Sequence, residues 1–225
     1  MKNKKQTLEI NKLFTKSFEI YKKNWKQFIL IGIILFAVGL IGGFGNKIDL
    51  ETGNIMRTGF GFFMSTLSWI AYTYIVIGVI RYTLNLVDGK KPKLDSIFYG
   101  VDSVKHFLFF VLVTVVTQIL IAFGIILFII PGIIIGLGLM FTKYYIAENR
   151  GEVFDTIKTS WKMTKGYKWN LFGLSVFIFL FNILGALVFL VGLIITIPVS
   201  SLVMASAYRK IEGTYTPEIN ISSEE

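Results

Sequence analysis

The stretch 168–209, KWNLFGLSVFIFLFNILGALVFLVGLIITIPVSSLVMASAYR, decides the fold: none of the 40 residues between Lys168 and Arg209 is charged. A helix crosses the hydrocarbon of a bilayer with about 20 predominantly apolar residues, rising about 1.5 Å at each. The gap is about twice that length, so it reads as two spanning helices joined by a tight turn. A second gap, 106–142, has 37 residues without Asp, Glu, Lys or Arg and reads the same way.

The rest of the composition agrees. Of 225 residues, 54% are hydrophobic and 16% charged, whereas a soluble domain carries roughly a quarter charged residues. The charges are crowded into short stretches, which a soluble core does not explain. The net charge of +9 and pI near 9.6 would suggest nucleic acid in a soluble protein. In a membrane protein Lys and Arg collect in cytoplasmic loops, so no nucleic-acid partner is expected. The chain has no cysteine, which excludes disulfides, Cys-ligated zinc and thiol chemistry. The leading polar segment, with eight lysines before the first apolar run, is too long for an ordinary signal-peptide n-region. The first apolar run is therefore expected to be retained as a span.

Six spans are expected. The first is 27–45, and the second begins near 60 and ends between 81 and 87. The third is 106–130, the fourth 133–145, the fifth 169–186 and the sixth 188–208. Pro131 and Gly132 are expected to break the chain between the third and fourth, because proline disfavours helix in the residue before it. The last pair is expected to turn near Gly185. The segment DGKKPK at 88–93 carries Asp-Gly and Pro turn signals. Eight Lys and Arg precede the first span, five lie in and beside the second loop, six around the fourth and two at the C-terminus. The opposite side has only Lys47 and Arg57. That asymmetry predicts both termini in the cytoplasm and a multi-pass protein of the cytoplasmic membrane.

Each pair of spans follows a short amphipathic stretch. In the first, Ile10, Leu13, Phe14, Phe18, Tyr21 and Trp25 recur at helical spacing against Lys12, Lys16, Lys22 and Lys23. Leu94, Ile97, Phe98 and Val101 form the second. Phe154, Ile157 and Trp161 form the third, with Lys158, Lys162 and Lys165 mostly elsewhere. Such helices lie flat on the inner leaflet, lysines toward anionic headgroups. The expected fold is an all-α integral membrane protein: six transmembrane helices in three hairpins, each preceded by a cytoplasmic interfacial helix. It forms one membrane domain over 1–225, with units 7–87, 94–147 and 152–210 and a polar tail at 211–225. Ser17-Phe18 and Ser160-Trp161 occupy matching places, and the units are either true repeats or share topology alone.

The expected helix centres contain no Asp, Glu, Lys or Arg. That weakens an ion relay, which needs ionisable groups at depth, and weakens intramembrane hydrolysis further. No catalytic residue, metal ligand or cofactor is expected, and the chain is read as not an enzyme. His106, the only histidine, reads as an interfacial side chain near a headgroup. Arg81 and Lys143 stand at span ends, where they can snorkel. Gln118 and Asn182 lie within spans and read as interhelical hydrogen-bond partners or as substrate contacts. With Thr114, Thr117 and Ser175 they are the groups available to line a polar path.

The order Pro131-Gly132, an apolar span, Glu148, and then DTIKTSWKMTKG at 155–166 resembles bacterial multi-pass proteins of the DUF975 and YciC-like (UPF0259) type. It is also similar to the membrane domain fused to some glycerophosphodiester phosphodiesterases. Asp155, Lys158, Ser160, Trp161, Thr164, Lys165 and Gly166 match the segment those families place between two hydrophobic hairpins. Thr156 stands where alanine is usual. The resemblance covers about 95–212 and implies a six-span membrane protein without phosphodiesterase activity, because the soluble catalytic domain is absent from this sequence. On its own composition the segment reads as a surface helix, with Trp161 at the interface and Gly166 ending it.

Three functions follow as expectations. The first is a non-enzymatic module that organises or regulates a membrane partner, lipid or transport system. The second is a transporter or export component for a lipid-like, apolar or peptide substrate. The third is immunity against a membrane-active peptide. The partners implied are anionic headgroups and a membrane protein.

Overall fold

The computed structural model describes residues 8–44, 46–48, 55–188 and 192–214. The lysines at 2, 4 and 5, Asp49, Glu51, the turn at 189–191 and the tail beyond 214 lie outside them. Among the described residues eight α-helices run in chain order: α1 Ile10–Gly43, α2 Gly59–Val87, α3 Val104–Leu127, α4 Ile129–Leu139, α5 Thr142–Ala147, α6 Val153–Met163, α7 Lys168–Leu187 and α8 Leu193–Thr214. A 3-10 helix, Leu94–Tyr99, precedes α3. The chain is helical as expected, with one short addition. Strands β1 Asn46–Ile48 and β2 Ile55–Arg57 pair antiparallel between α1 and α2, with Lys47 opposite Met56.

Among the described residues five segments are long and apolar enough to cross a membrane: α1, α2, α3, the stretch Ile129–Ala147 and α7. Their large side chains point outward, with Phe36 69%, Ile126 81% and Phe179 65% exposed. Bands of that kind belong against lipid. The chain is a helical, multi-pass membrane protein. The helix α8 is long enough but falls short of the same apolarity, because Thr196, Pro198, Ser200, Ser201 and Ser206 dilute it before Arg209 and Lys210. It is nevertheless the centre of the core. Val199, Leu202, Val203, Ala205, Ala207, Tyr208 and Ile211 are at most 1% exposed, and α1, α2 and α7 pack around them.

The first amphipathic stretch and the first span are one helix of 34 residues, bent at Asn24 (φ −125°, ψ 16°). There the Asn24 amide donates to Ile20 O at 2.8 Å, and a side chain competing for the i−4 carbonyl is an ordinary cause of a bend. The lysine-rich half lies before the bend, the apolar half after it.

The break between the third and fourth spans falls at Phe128 (φ −160°, ψ 144°), not at Pro131-Gly132. Pro131 sits in the first turn of α4, where its missing N–H is not needed by the helix. Gly132 serves packing instead. A Cβ there would collide with Ile125, and one on Gly124 would stand 2.9 Å from Gly132 Cα. The fourth span is broken too, since α4 ends at Leu139 and α5 begins at Thr142. The expected turn near Gly185 is also displaced, because α7 continues to Leu187. Gly185 is a contact, its added Cβ 3.2 Å from Gly192 C. Without hydrophobic drive in lipid, helices associate where small residues let backbones touch.

Pro198 inside α8 has no N–H for the carbonyl of Ile194. Tyr21 of α1 donates its hydroxyl to that oxygen at 3.4 Å. A neighbouring helix thus satisfies the group a membrane cannot.

Candidate functional site

At the lysine-rich end the helix ends converge on one guanidinium. Arg209 of α8 donates through Nε and Nη2 to Asp88 at 2.8 Å each. It donates to Glu148 through Nη2 at 2.7 Å and Nη1 at 3.1 Å, and to Glu212 through Nη1 at 2.8 Å. All five N–H donors of the guanidinium are used. Asp88 follows α2, Glu148 follows α5, and Glu212 lies on α8. One side chain therefore ties three helix C-termini together. Tyr208 adds a bond to Glu148 at 2.9 Å, and Arg150 pairs with Glu212 and Glu148. The three carboxylate side chains are 14–26% exposed, partly shielded from water. Three convergent carboxylates suggest a cation, and here the cation is Arg209 itself. Among the described residues no group of three or more His, Asp and Glu is placed to hold a metal ion.

A second node sits beside it. Arg81 of α2 grips Asp102 with both terminal nitrogens, at 2.8 and 2.5 Å, while its Nε donates to Ala147 O. The Arg81 guanidinium holds the Asp102 carboxyl below the usual carboxylate range. His106 is 1% exposed. Its Nδ1 accepts from Asp102 N–H at 3.3 Å, so Nε2 carries the proton and donates to Ile146 O at 2.8 Å. At the end of α5, Ala147 O thereby gains a donor and Ile146 O a second one beside the Asn149 N–H. Both side chains depart from expectation. Arg81 is clamped rather than snorkelling, and His106 is a buried cap rather than a headgroup neighbour, because α5 ends directly against them.

The motif segment docks by the face opposite to the one that looks apolar. Val153, Thr156, Ser160 and Met163 are buried, whereas Phe154 is 72% and Trp161 40% exposed. Ser160 and Thr164 donate to Gly138 O at 2.9 and 3.2 Å. Gly138 lies in the last turn of α4, so two hydroxyls of α6 occupy an otherwise orphaned carbonyl. A Cβ on Gly138 would enter the Trp161 ring. Lys158, Lys162 and Lys165 are exposed, as is Asp155. Gly166 ends the segment at φ 89°, as a left-handed glycine does. The first unit repeats the arrangement: Ser17 is fully buried 3.5 Å from Ser206 Oγ, and Phe18 beside it is 39% exposed. In the second, Ile97 is fully buried against Gly78 and Phe98 is 43% exposed.

The polar residues expected to line a path are not brought together. Gln118 is exposed on α3, and Thr117 and Thr114 beside it have hydroxyls that are buried without a partner. Asn182 donates to Ser200 Oγ at 3.0 Å, joining α7 to α8. Ser175 is half-buried on α7. A cavity of about 640 Å³ lies elsewhere, between α1, α2 and α8. Ile31, Leu35, Phe36, Val76, Ile80 and Ile197 line it, with Tyr72, Thr83, Tyr144 and Ser201 as its polar-headed side chains. It suits an apolar guest, and none of the five polar residues reaches it.

No family model, no curated protein and no solved structure matches this chain.

The Arg209 node was not anticipated from sequence, because Glu148 and Asp88 lie 61 and 121 positions away along the chain. A signal was present nonetheless. An acidic residue closely followed by glycine closes the second helix of every pair: Asp88-Gly89, Glu148 before Gly151, and Glu212-Gly213.

Proposed function

We propose that this chain is a non-enzymatic protein of the cytoplasmic membrane that holds a lipid-like molecule in the α1–α2–α8 cavity and through it organises or regulates a membrane partner, lipid or transport system. The apolar lining of that cavity is the observation that carries the reading. Pockets of this volume are ordinary small-molecule sites, and this one offers almost nothing to a polar guest. An export role for a lipid-like substrate would use the same cavity rather than a path along Thr114, Thr117, Gln118, Ser175 and Asn182.

In the same proposal α8 is a sixth span, and the helices form three hairpins, α1–α2, α3 with α4 and α5, and α7–α8. Both termini face the cytoplasm. The pairing of those helices supports the layout, as do 21 Lys and Arg against two on the other side. Each interfacial segment then rests on the second helix of another hairpin: Ile97 on Gly78, Ser160 on Gly138, Ser17 beside Ser206. That cyclic order favours three related units about an axis along the membrane normal. The docking of the segment 155–166 through Ser160 and Thr164, with Gly166 ending it, supports kinship with the YciC-like proteins.

Gly32 lines the cavity, and a Cβ there meets nothing within 4 Å. Gly32→Phe should therefore fill the space without disturbing the fold. Native mass spectrometry of the purified chain should show a bound lipid in the wild type and its loss in the variant. An unchanged lipid adduct in a folded Gly32→Phe protein overturns the reading.

A further inference from the structure

A second apolar recess, of about 380 Å³, lies where α6 crosses α3 and α4. Leu120, Ile135 and Leu139 form its walls, and Lys158, Lys162 and Trp161 form its mouth. We infer that this recess is a site for one anionic glycerophospholipid, with its phosphate between Lys158 and Lys162 and an acyl chain along Leu120, Ile135 and Leu139. The inference rests on the chain lying in a membrane and is independent of what fills the α1–α2–α8 cavity.

Three observations converge on that occupant. Lys158 and Lys162 stand at i and i+4 on one edge of α6, a like-charge pair that destabilises a helix unless an anion sits between them. Among the described residues neither lysine pairs with a carboxylate. The wall below them is apolar and opens outward, Leu120 being 38% exposed, so the same surface asks for an anion at one end and hydrocarbon at the other. Trp161 links the two halves. Its indole is seated on Gly138, the one residue type in α4 that leaves room for it, and Lys168 lies 3.7 Å from its ring centroid. The ring is thus fixed at the level of the headgroups, where Trp and Lys mark the boundary of a bilayer. Basic recesses between helices on the cytoplasmic side are places where acidic headgroups bind. Among phospholipids, the one that fits is a phosphatidylglycerol-like molecule rather than a zwitterionic one.

The test uses the full chain in detergent micelles doped with phosphatidylglycerol or phosphatidylcholine, reading the thermal midpoint and lipid adducts by native mass spectrometry. Wild type should be stabilised more by phosphatidylglycerol. At about 1 kcal/mol for each lysine near an anionic surface, Lys158→Gln with Lys162→Gln should reduce the preference by roughly 30-fold. The control pair Lys22→Gln with Lys23→Gln, on α1, should keep it, as should Gly32→Phe. Leu120→Trp, which blocks the wall and changes no charge, should weaken the same adduct. Equal stabilisation by the two lipids, equal stabilisation by inorganic phosphate, or an unaltered preference in the Lys158/Lys162 variant overturns the site.

Discussion

The two ends of the bundle are held by different physics. At the lysine-rich end two guanidiniums, Arg209 and Arg81, collect carboxylates and helix-end carbonyls from segments far apart in sequence. At the other end Gly124 meets Gly132, Gly185 meets Gly192, and Ser65 and Ser68 donate to Gly42 O and Val38 O at 2.8 and 2.6 Å. The difference follows from the surroundings. In hydrocarbon a charge is costly and apolar contact between helices gains little over contact with lipid, so close backbone packing does the joining. At the headgroup level charges are tolerated, and a planar five-donor fork joins three helix ends that no single apolar contact could.

Breaking the glycine end should cost most. Gly132→Leu forces a side chain into Ile125, whose backbone N would stand 2.7 Å from the new Cβ. We expect loss of the monodisperse peak in size-exclusion chromatography, because overpacking against backbone exceeds the usual 1–3 kcal/mol or so of a strained core. Arg209→Leu ranks next. It strands Asp88 and leaves the neighbouring Glu148 and Glu212 to share Arg150 as their one remaining cation. Breaking a well-buried pair costs about 3–5 kcal/mol, and partial exposure places this one near the lower bound. Arg209→Lys should recover only part of the thermal midpoint, having three donors instead of five.

Smaller effects sharpen the contrast. Ser160→Ala leaves Gly138 O with Thr164 alone, and should lower stability by about 1 kcal/mol in a reversible unfolding measurement. The Asp102–Arg81 pair gives a pH dependence. The folded carboxyl titrates below its ordinary value, near 3.9 for an unfolded Asp. Its contribution is therefore present above about pH 4 and drains away as pH falls through the lowered value. Asp102→Asn should flatten the acid limb of a midpoint-against-pH curve and leave the limb above about pH 5 parallel to wild type. A steep acid limb in that variant would assign the effect to other carboxylates.

How much was legible in sequence depended on distance along the chain. Apolar runs disclosed the five long apolar segments among the six spans expected, since a bilayer imposes its length on contiguous residues. The amphipathic stretches were visible for the same local reason, although in α6 the apolar-looking edge, Phe154 and Trp161, faces outward while Thr156 and Ser160 are buried. Periodicity cannot tell lipid from protein as the destination of an apolar face. Pro131 pointed to a break three residues too late, because a proline in a first turn and a proline after a helix look alike in sequence. The Arg209 node was illegible as a site because its members are near only once the bundle has closed. Gln118 and Asn182 stood out as polar groups in apolar runs, yet sequence could not say that one is exposed and the other bonded to Ser200.

Six crossings with the Arg209 node on the cytoplasmic side are tested most directly by cysteine labelling, for which a chain free of cysteine is suited. Single replacements Thr52→Cys, Lys91→Cys, Glu152→Cys and Ser223→Cys would be exposed to a membrane-impermeant maleimide in intact cells and again after permeabilisation. Only Thr52→Cys should react before permeabilisation, and all four after it. Labelling of Ser223→Cys in intact cells would mean that α8 does not complete a sixth crossing, and labelling of Lys91→Cys would place the charged node on the wrong face of the membrane.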